Sequence, residues 1–319
     1  MFNYLKISIN AFKESVREPI YFLMLLAALA LIGCYPSAAL FVFSEQLKLV
    51  VDSSMATSLI FGLIVAVLCA SHTVSREMRN GTVLLLLSKP VFRWSFILGK
   101  ITGIGAAVTL FTLLCNLATI VSVYIATDQF RLDWGIFVLY LGLLAAACAV
   151  GMLFNFWRGS SFPEVATYAA TLLIPAYAII CILTKERPMV SLPDLCCALI
   201  LLHFAVVAMS TIAVGFATRL DIVPNLSVCT VIFFLGLVSS YLFQRDTGSA
   251  FLNLVCKFCY AVLPNWQFFW LADAIAVNRP IPFVYVVDGF VYVVLYLAIC
   301  SLWAVAAFQN KEIAGDNRV

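Results

Sequence analysis

Eight long runs of apolar residues constrain this chain more than any other feature of its sequence. Each run can cross the roughly 30 Å hydrocarbon core of a bilayer as an α-helix, which rises about 1.5 Å per residue. In chain order the runs are Tyr21–Phe43, Ala56–Val74, Ser95–Ala126, Trp134–Trp157, Val165–Leu183, Leu195–Ala217, Ile222–Phe243 and Phe283–Phe308. Outer-membrane barrels instead show alternating segments of about ten residues. The runs therefore predict an all-α polytopic membrane protein with eight transmembrane helices.

Composition agrees with this class and excludes water-soluble folds. Hydrophobic residues make up 64% of the 319 residues and charged residues only 11%, against roughly 45–50% and about 25% in soluble domains. The formal net charge of +3 is too small to indicate a nucleic-acid partner. Because no internal repeat or flexible linker divides the sequence, residues 1–319 are predicted to form one transmembrane domain in contact with the lipid bilayer.

The first 18 residues have the pattern of an amphipathic helix. Apolar side chains recur at intervals of four, three and four, and polar side chains form a neighbouring stripe. The apolar stripe is Leu5, Ile9, Phe12 and Val16, and the polar stripe is Lys6, Asn10, Lys13 and Arg17. We expect residues 1–18 to lie on the cytoplasmic leaflet and to end at Pro19.

The segment 249–276 is apolar and aromatic, but Pro264 and Asn265 interrupt it. A helix interior tolerates proline poorly, so we expect two short helices at the outer surface, re-entrant or interfacial. Trp266 and Trp270 would then belong to an aromatic belt at the membrane surface. One more kinked span is the alternative, but it would place the C-terminus outside the cell.

The distribution of Lys and Arg predicts the orientation of the spans. The side that holds both termini collects twelve of these residues, and the other side collects seven. Cytoplasmic loops carry the excess of basic residues, so both termini and the loop after the second run are placed in the cytoplasm. The expected location is the bacterial cytoplasmic membrane, where the chain would be a multi-pass protein.

The loop between the second and third runs, residues 75–93, has the most informative composition. It begins with charges, turns at Asn80-Gly81 and continues into a short leucine-rich helix that Thr82 can cap. The residues of interest are Arg76, Glu77, Arg79, Gly81, Thr82, Leu84, Leu85, Leu86, Leu87, Ser88 and Pro90. A leucine face outside the bilayer must be buried, either on the lipid surface or in a groove of another protein. The charged residues would contact that protein or brace the loop internally.

The stretch SREMRNGTVLLLLSKPVFRWSFILGK resembles the loop between the second and third spans of ABC transporter permeases of the type-2 exporter class. The matching residues are Arg76, Glu77, Gly81, Thr82, Ser88, Pro90, Arg93, Gly99 and Lys100. Residues 1–18 resemble the connecting helix of that class, and residues 249–276 resemble its extracellular helix. Within the class, the chain is most similar to small stand-alone permeases of the nitrous-oxide-reductase maturation and gliding-motility type. Since the class usually has six spans, six is the alternative to eight.

The resemblance implies a permease subunit of an ATP-driven exporter. It implies that loop 75–93 contains the coupling helix, that an ABC ATPase subunit binds there, and that a second permease copy, identical or related, completes the complex. ATP and Mg would be bound on the ATPase subunit. The chain shows no phosphate-binding loop, since its nearest match, Gly99-Lys100, lacks both the upstream glycine and the following Ser or Thr. The chain is therefore not expected to be an enzyme or to bind a cofactor or a metal ion.

Few other residues indicate chemistry. Asp288, about a turn and a half inside the last run, is a candidate for the transport path or for structural pairing with another helix. Cys256 and Cys259 form a lone C-x-x-C, which suggests two unreactive helical cysteines or a redox or soft-metal role. His203 indicates a hydrogen bond between helices or a proton relay.

The alternative function is that of a secondary carrier or another membrane protein not driven by ATP. A carrier should show several intramembrane acids in matching halves, and only Asp288 qualifies.

Overall fold

The computed structural model describes residues 2–40, 42, 46–79, 92–126, 131–185, 188, 190–243, 250–277 and 279–309. Regular secondary structure in this part of the chain is helical. Its helices are α1 Phe2–Arg17, α2 Pro19–Ala39, α3 Gln46–Ala70, α4 Arg76–Arg79, α5 Arg93–Ile125, α6 Trp134–Arg158, α7 Phe162–Thr184, α8 Leu192–Ala217, α9 Ile222–Phe243, α10 Ala250–Val262, α11 Ala272–Ala276 and α12 Phe283–Gln309. A π-helical turn, Ser71–Ser75, joins α3 to α4.

The eight predicted spans are confirmed. Helices α2, α3, α5, α6, α7, α8, α9 and α12 are long and apolar enough to cross a membrane, which supports eight spans over the six-span alternative. Helix α3 begins at Gln46 instead of Ala56, because a helix can continue through polar residues that lie outside an apolar run. Helix α5 has 33 residues and is about 50 Å long, so it projects beyond the hydrocarbon core.

Helices α3, α5 and α8 pack against one another at the centre of the bundle, and the hairpin of α6 and α7 packs with α2 along one side. Helices α9 and α12 are the most exposed of the spans. Side-chain hydrogen bonds to backbone carbonyls join the helices, as the Tyr140 hydroxyl does when it donates to the Leu29 carbonyl oxygen at 2.8 Å. His203 of α8 hydrogen-bonds Thr112 of α5 at 2.6 Å, which confirms the predicted contact between helices.

Helix α1 confirms the predicted N-terminal helix, but its buried face differs from the predicted apolar stripe. Val16 is fully buried, whereas Leu5 and Ile9 are each 53% exposed. The helix packs along the beginning of α5, where Gly99 and Gly103 leave room for its backbone. Helix α1 is therefore part of the bundle, and the exposed half of its apolar stripe faces away from the protein.

The close approach of α1 to α5 depends on Gly103. A Cβ atom at this position would overlap the Ser8 carbonyl oxygen and would lie 2.7 Å from the Ala11 Cβ, well inside the roughly 3.5–4.0 Å of a favourable carbon contact. We expect Gly103→Val to displace α1, to cost about 1–3 kcal/mol of stability and to speed tryptic cleavage at Lys13. Gly105→Val is the matched control, because a Cβ at Gly105 meets nothing within 4 Å. Equal cleavage rates in the two variants would contradict this packing.

The outer segment, residues 264–276, follows α10 in the chain. It lies at the end of the bundle opposite to α4. Helix α10 has 13 residues and is about 20 Å long, too short to cross the bilayer. The prediction of short helices in this segment is confirmed, and the described residues 250–277 do not form a further kinked span. A 3₁₀ turn, Trp266–Phe269, precedes α11. Trp266 is only 2% exposed and packs against Gly236 of α9, so its assignment to an aromatic belt is wrong.

Candidate functional site

The π-helical turn follows the end of α3 and leads towards the loop. Turns of this kind are rare in proteins, and those that occur are often found at functional sites. Ser75 Oγ lies 2.9 Å from the Ala217 carbonyl oxygen and 2.6 Å from the Leu220 carbonyl oxygen. Asn225 Nδ2 donates to Ser71 Oγ at 2.9 Å. The connection between α8 and α9 therefore holds this turn in place, and α4 follows it directly.

A buried lysine joins three helices beside the π turn. Lys100 Nζ of α5 lies 2.8 Å from Glu77 Oε1 of α4 and 3.3 Å from Glu14 Oε2 of α1. It also donates to the Thr73 carbonyl oxygen at 3.2 Å. The lysine side chain is only 3% exposed. We call Glu14, Thr73, Glu77 and Lys100 the lysine junction, because it connects the N-terminal helix, the start of loop 75–93 and the third span.

The electrostatics of the lysine junction follow from its burial. A buried ammonium group is costly unless it is paired and hydrogen-bonded, and the two carboxylates and the carbonyl oxygen meet this requirement. Burial raises the pKa of Glu14 above its ordinary value of 4.5; Lys100 lowers it by less, and the carboxylates of Glu77 and Glu18 raise it further. Because the folded protein binds this proton more tightly than the unfolded chain does, the Glu14 contribution to stability falls as the pH rises above 4.5.

Two ion pairs at the surface surround the lysine junction. Arg17 Nε donates to Glu164 Oε2 of α7 at 2.6 Å, and Arg76 Nη1 lies 3.7 Å from Glu18 Oε1. Both arginine side chains are 59% exposed, so each pair contributes at most about 1 kcal/mol. They link the end of α1 to the start of α7, and Glu18, which follows α1, to the start of α4.

The last span also ends at this side of the bundle. Arg93 Nη1, at the start of α5, donates to the Gln309 carbonyl oxygen at 3.2 Å. Arg219 Nη2 donates to the Ala307 carbonyl oxygen at 2.8 Å. Cations favour the final carbonyl groups of a helix, so both arginines stabilise the end of α12. The first helix, the loop and the last span thus meet at one end of the protein.

The structure places some of the predicted ATPase-contacting residues and leaves others undescribed. Glu77 belongs to the lysine junction, Arg76 lies beside it, and Arg79 is the last residue of α4. The internal ion pair of Glu77 supports the expectation that charges brace the loop. The remaining predicted residues lie outside the described residues, and their role stays a prediction: Gly81, Thr82, Leu84, Leu85, Leu86, Leu87, Ser88 and Pro90.

Sequence reasoning identified Lys100 as a motif match but missed its partners. A lysine within an apolar span requires a carboxylate or a wet cavity. Glu14 and Glu77 are two of the few acids on that side of the predicted topology. A pairing of Lys100 with a carboxylate could therefore have been proposed from the sequence. Which of the acids on that side take part could not have been predicted.

A second feature, the outer groove, lies between α3 and α9 and has a volume of about 770 Å³. One wall is a face of α3 and the other a face of α9, and the outer segment closes one end. The apolar residues that define it are Leu59, Ile60, Leu63, Phe233, Phe234 and Leu237. Asp288 is exposed on α12 and does not line this groove, so its role in transport stays a prediction.

Eight helices that are apolar and long enough to cross a membrane pack together in one bundle. This is the architecture of a multi-pass membrane protein. The chain belongs to the ABC-2 family of transporter proteins, because the family model described as ABC-2 family transporter protein matches residues 5–313. It is therefore a permease subunit of an ABC transporter. Permeases of this family are membrane transport components that are not themselves catalytic, and the family in general works with an ABC ATPase. No curated protein matches the chain.

Proposed function

We propose that this permease couples ATP hydrolysis on a separate ABC ATPase to the export of a substrate, and that loop 75–93 is the contact. The lysine junction is the observation that supports this most directly. It joins Glu77, near the start of the loop, to Glu14 of α1 and Lys100 of α5 through short ion pairs. A displacement of the loop by the ATPase would therefore move three helices together.

The π turn provides the second step of this coupling. Helix α4 continues through Ser71–Ser75 into α3, and α3 packs against both α5 and α8 in the centre of the bundle. The middle of α3, from Ala56 to Ile64, forms one wall of the outer groove. A movement that starts at loop 75–93 would thus reach the outer groove along a single helical path, and we propose the outer groove as part of the transport path.

We infer that both termini and loop 75–93 lie in the cytoplasm and that the bilayer is the cell membrane. The excess of Lys and Arg on that side supports this orientation. The hydrogen bond from Arg93 to Gln309 and the ion pair of Glu14 with Lys100 support it as well, since they bring both ends of the described chain to the loop.

The complex that fits this function contains two permease copies, identical or related, and two ATPases that bind ATP and Mg between them. To test it, the permease is purified with its ABC ATPase, and native mass spectrometry is expected to give two copies of each.

The topology has its own test: a single cysteine at Gly315 should react only from the side where the ATPase binds. A complex with one permease copy and no related second permease, or labelling of Gly315 only from outside, would contradict the proposal.

A further inference from the structure

We propose that the outer groove binds an amphiphile with an apolar body and a positively charged head, and that such a molecule is the exported substrate. This inference rests on the function proposed above. The groove volume of about 770 Å³ lies within the roughly 300–1,000 Å³ of small-molecule sites. It can therefore hold a molecule with one hydrocarbon chain and a small head.

The walls of the outer groove require an apolar body. On α3, Leu63 follows Leu59 by four residues and Ile60 by three, so the three side chains share one helical face. On α9, Phe233 and Leu237 lie one turn apart and face them. A polar group between these walls would lose its hydrogen bonds to water without finding replacements, so the central part of the ligand must be hydrocarbon.

The end of the groove formed by the outer segment has a different character. Gln267, Trp270 and Asp273 line it. Asp273 is the single ionisable residue among the described residues that line the groove, and no hydrogen bond or ion pair joins its carboxylate to another described side chain. An indole beside a carboxylate favours a cation, because the ring face attracts positive charge. An anionic head would meet repulsion here and no compensating Lys, Arg or His.

Hydrogen bonds anchor the part of the outer segment that precedes Trp270 and Asp273. Asn265 Nδ2 donates to Ser240 Oγ at 3.1 Å, and the Tyr285 hydroxyl donates to the Phe268 carbonyl oxygen at 2.9 Å. Trp266 is buried on the α9 side of the same segment. This anchoring holds the segment in place before a ligand binds, so less conformational freedom is lost on binding.

The test uses the purified full-length permease in nanodiscs of diglucosyldiacylglycerol, a lipid without a charged head group, and without ATPase or ATP. Binding of radiolabelled decyltrimethylammonium and decyl sulfate is measured, and empty nanodiscs correct for partition into lipid. We expect the cation to bind at least about fivefold more tightly than the anion. Asp273→Asn should remove most of this preference, whereas Asp273→Glu, the matched control that keeps the charge, should retain it.

Several outcomes would overturn the inference. One is that decyl sulfate binds as tightly as the cation or more tightly, and another is that Asp273→Asn leaves the preference for the cation unchanged. A third is that neither probe shows saturable binding, as expected if a second copy of the chain covers the groove. The preference of the wild-type protein needs no variant and decides the matter even if a variant misfolds. Because the assay contains no ATPase, cation binding without ATP-dependent transport would contradict the proposed function alone. ATP-driven export of anions without cation binding would contradict this inference alone.

Discussion

Replacing Leu85 and Leu86 together by aspartate is expected to release the ABC ATPase from this permease. If the leucine-rich part of loop 75–93 fills an apolar groove of the ATPase, each buried leucine contributes roughly 1.5–3 kcal/mol. Losing both would weaken the complex by about 10²- to 10⁴-fold. The measurement is co-purification of the ATPase with the tagged permease, followed by substrate-stimulated ATP hydrolysis.

The matched control for this variant keeps the apolar surface. Leu85→Met with Leu86→Met preserves volume and hydrophobicity, so the ATPase should co-purify as with the wild type. If the leucines lie on lipid instead, the ATPase binds elsewhere. Full recovery of a stable complex by the aspartate variant, with normal stimulated hydrolysis, would show that this loop is not the coupling element.

Replacing Lys100 by methionine is expected to have the largest effect on stability of any single change at the lysine junction. Removing one partner of a fully buried ion pair costs about 3–5 kcal/mol. Here Glu77 and Glu14 are 20% and 37% exposed, and water reduces the repulsion left between them, so we expect a loss of about 2–3 kcal/mol. The measurement is thermal unfolding of the purified permease in detergent.

Two comparisons isolate the charge effect at Lys100. Adding Glu14→Gln and Glu77→Gln to Lys100→Met should recover much of the lost stability, because no unpaired carboxylate then remains. Lys13→Met removes an exposed lysine of α1 and should change stability by less than about 0.5 kcal/mol. A triple variant no more stable than Lys100→Met would mean that packing, and not charge, dominates at this position.

The spans could be predicted from the sequence because the bilayer imposes a length and a composition that no soluble element shares. Helix α9, Ile222–Phe243, even has the predicted bounds. Helix α3 does not, because Gln46, Lys48 and Asp52 interrupt the apolar pattern of its first two turns, and helical hydrogen bonds do not depend on hydropathy. Trp266 was misassigned for a related reason, since its composition suits a membrane surface and only the packing against Gly236 shows that it is buried.

The candidate site was predictable only in part. The motif residues Glu77 and Lys100 were identified separately, but their ion pair depends on the angle at which α3 enters the π turn, and no local pattern encodes that angle. The outer groove was not predicted at all, because it arises from the distance between α3 and α9, which are not neighbours in sequence. Asp273 becomes notable only once the outer segment is seen to close that groove.

The residues of the lysine junction are synthesised at different times, so the junction can form only late in biosynthesis. Lys100 lies 86 residues after Glu14 and 23 residues after Glu77, and a chain is synthesised from its N-terminus. Helix α1 therefore leaves the ribosome long before its packing partner α5 exists, and it must wait at the membrane until the third span is inserted. Only then can the end of the bundle that contains the lysine junction take its final shape. A nascent chain that stops before Lys100 lacks the central residue of that junction, so the junction can form only after α5 has been synthesised.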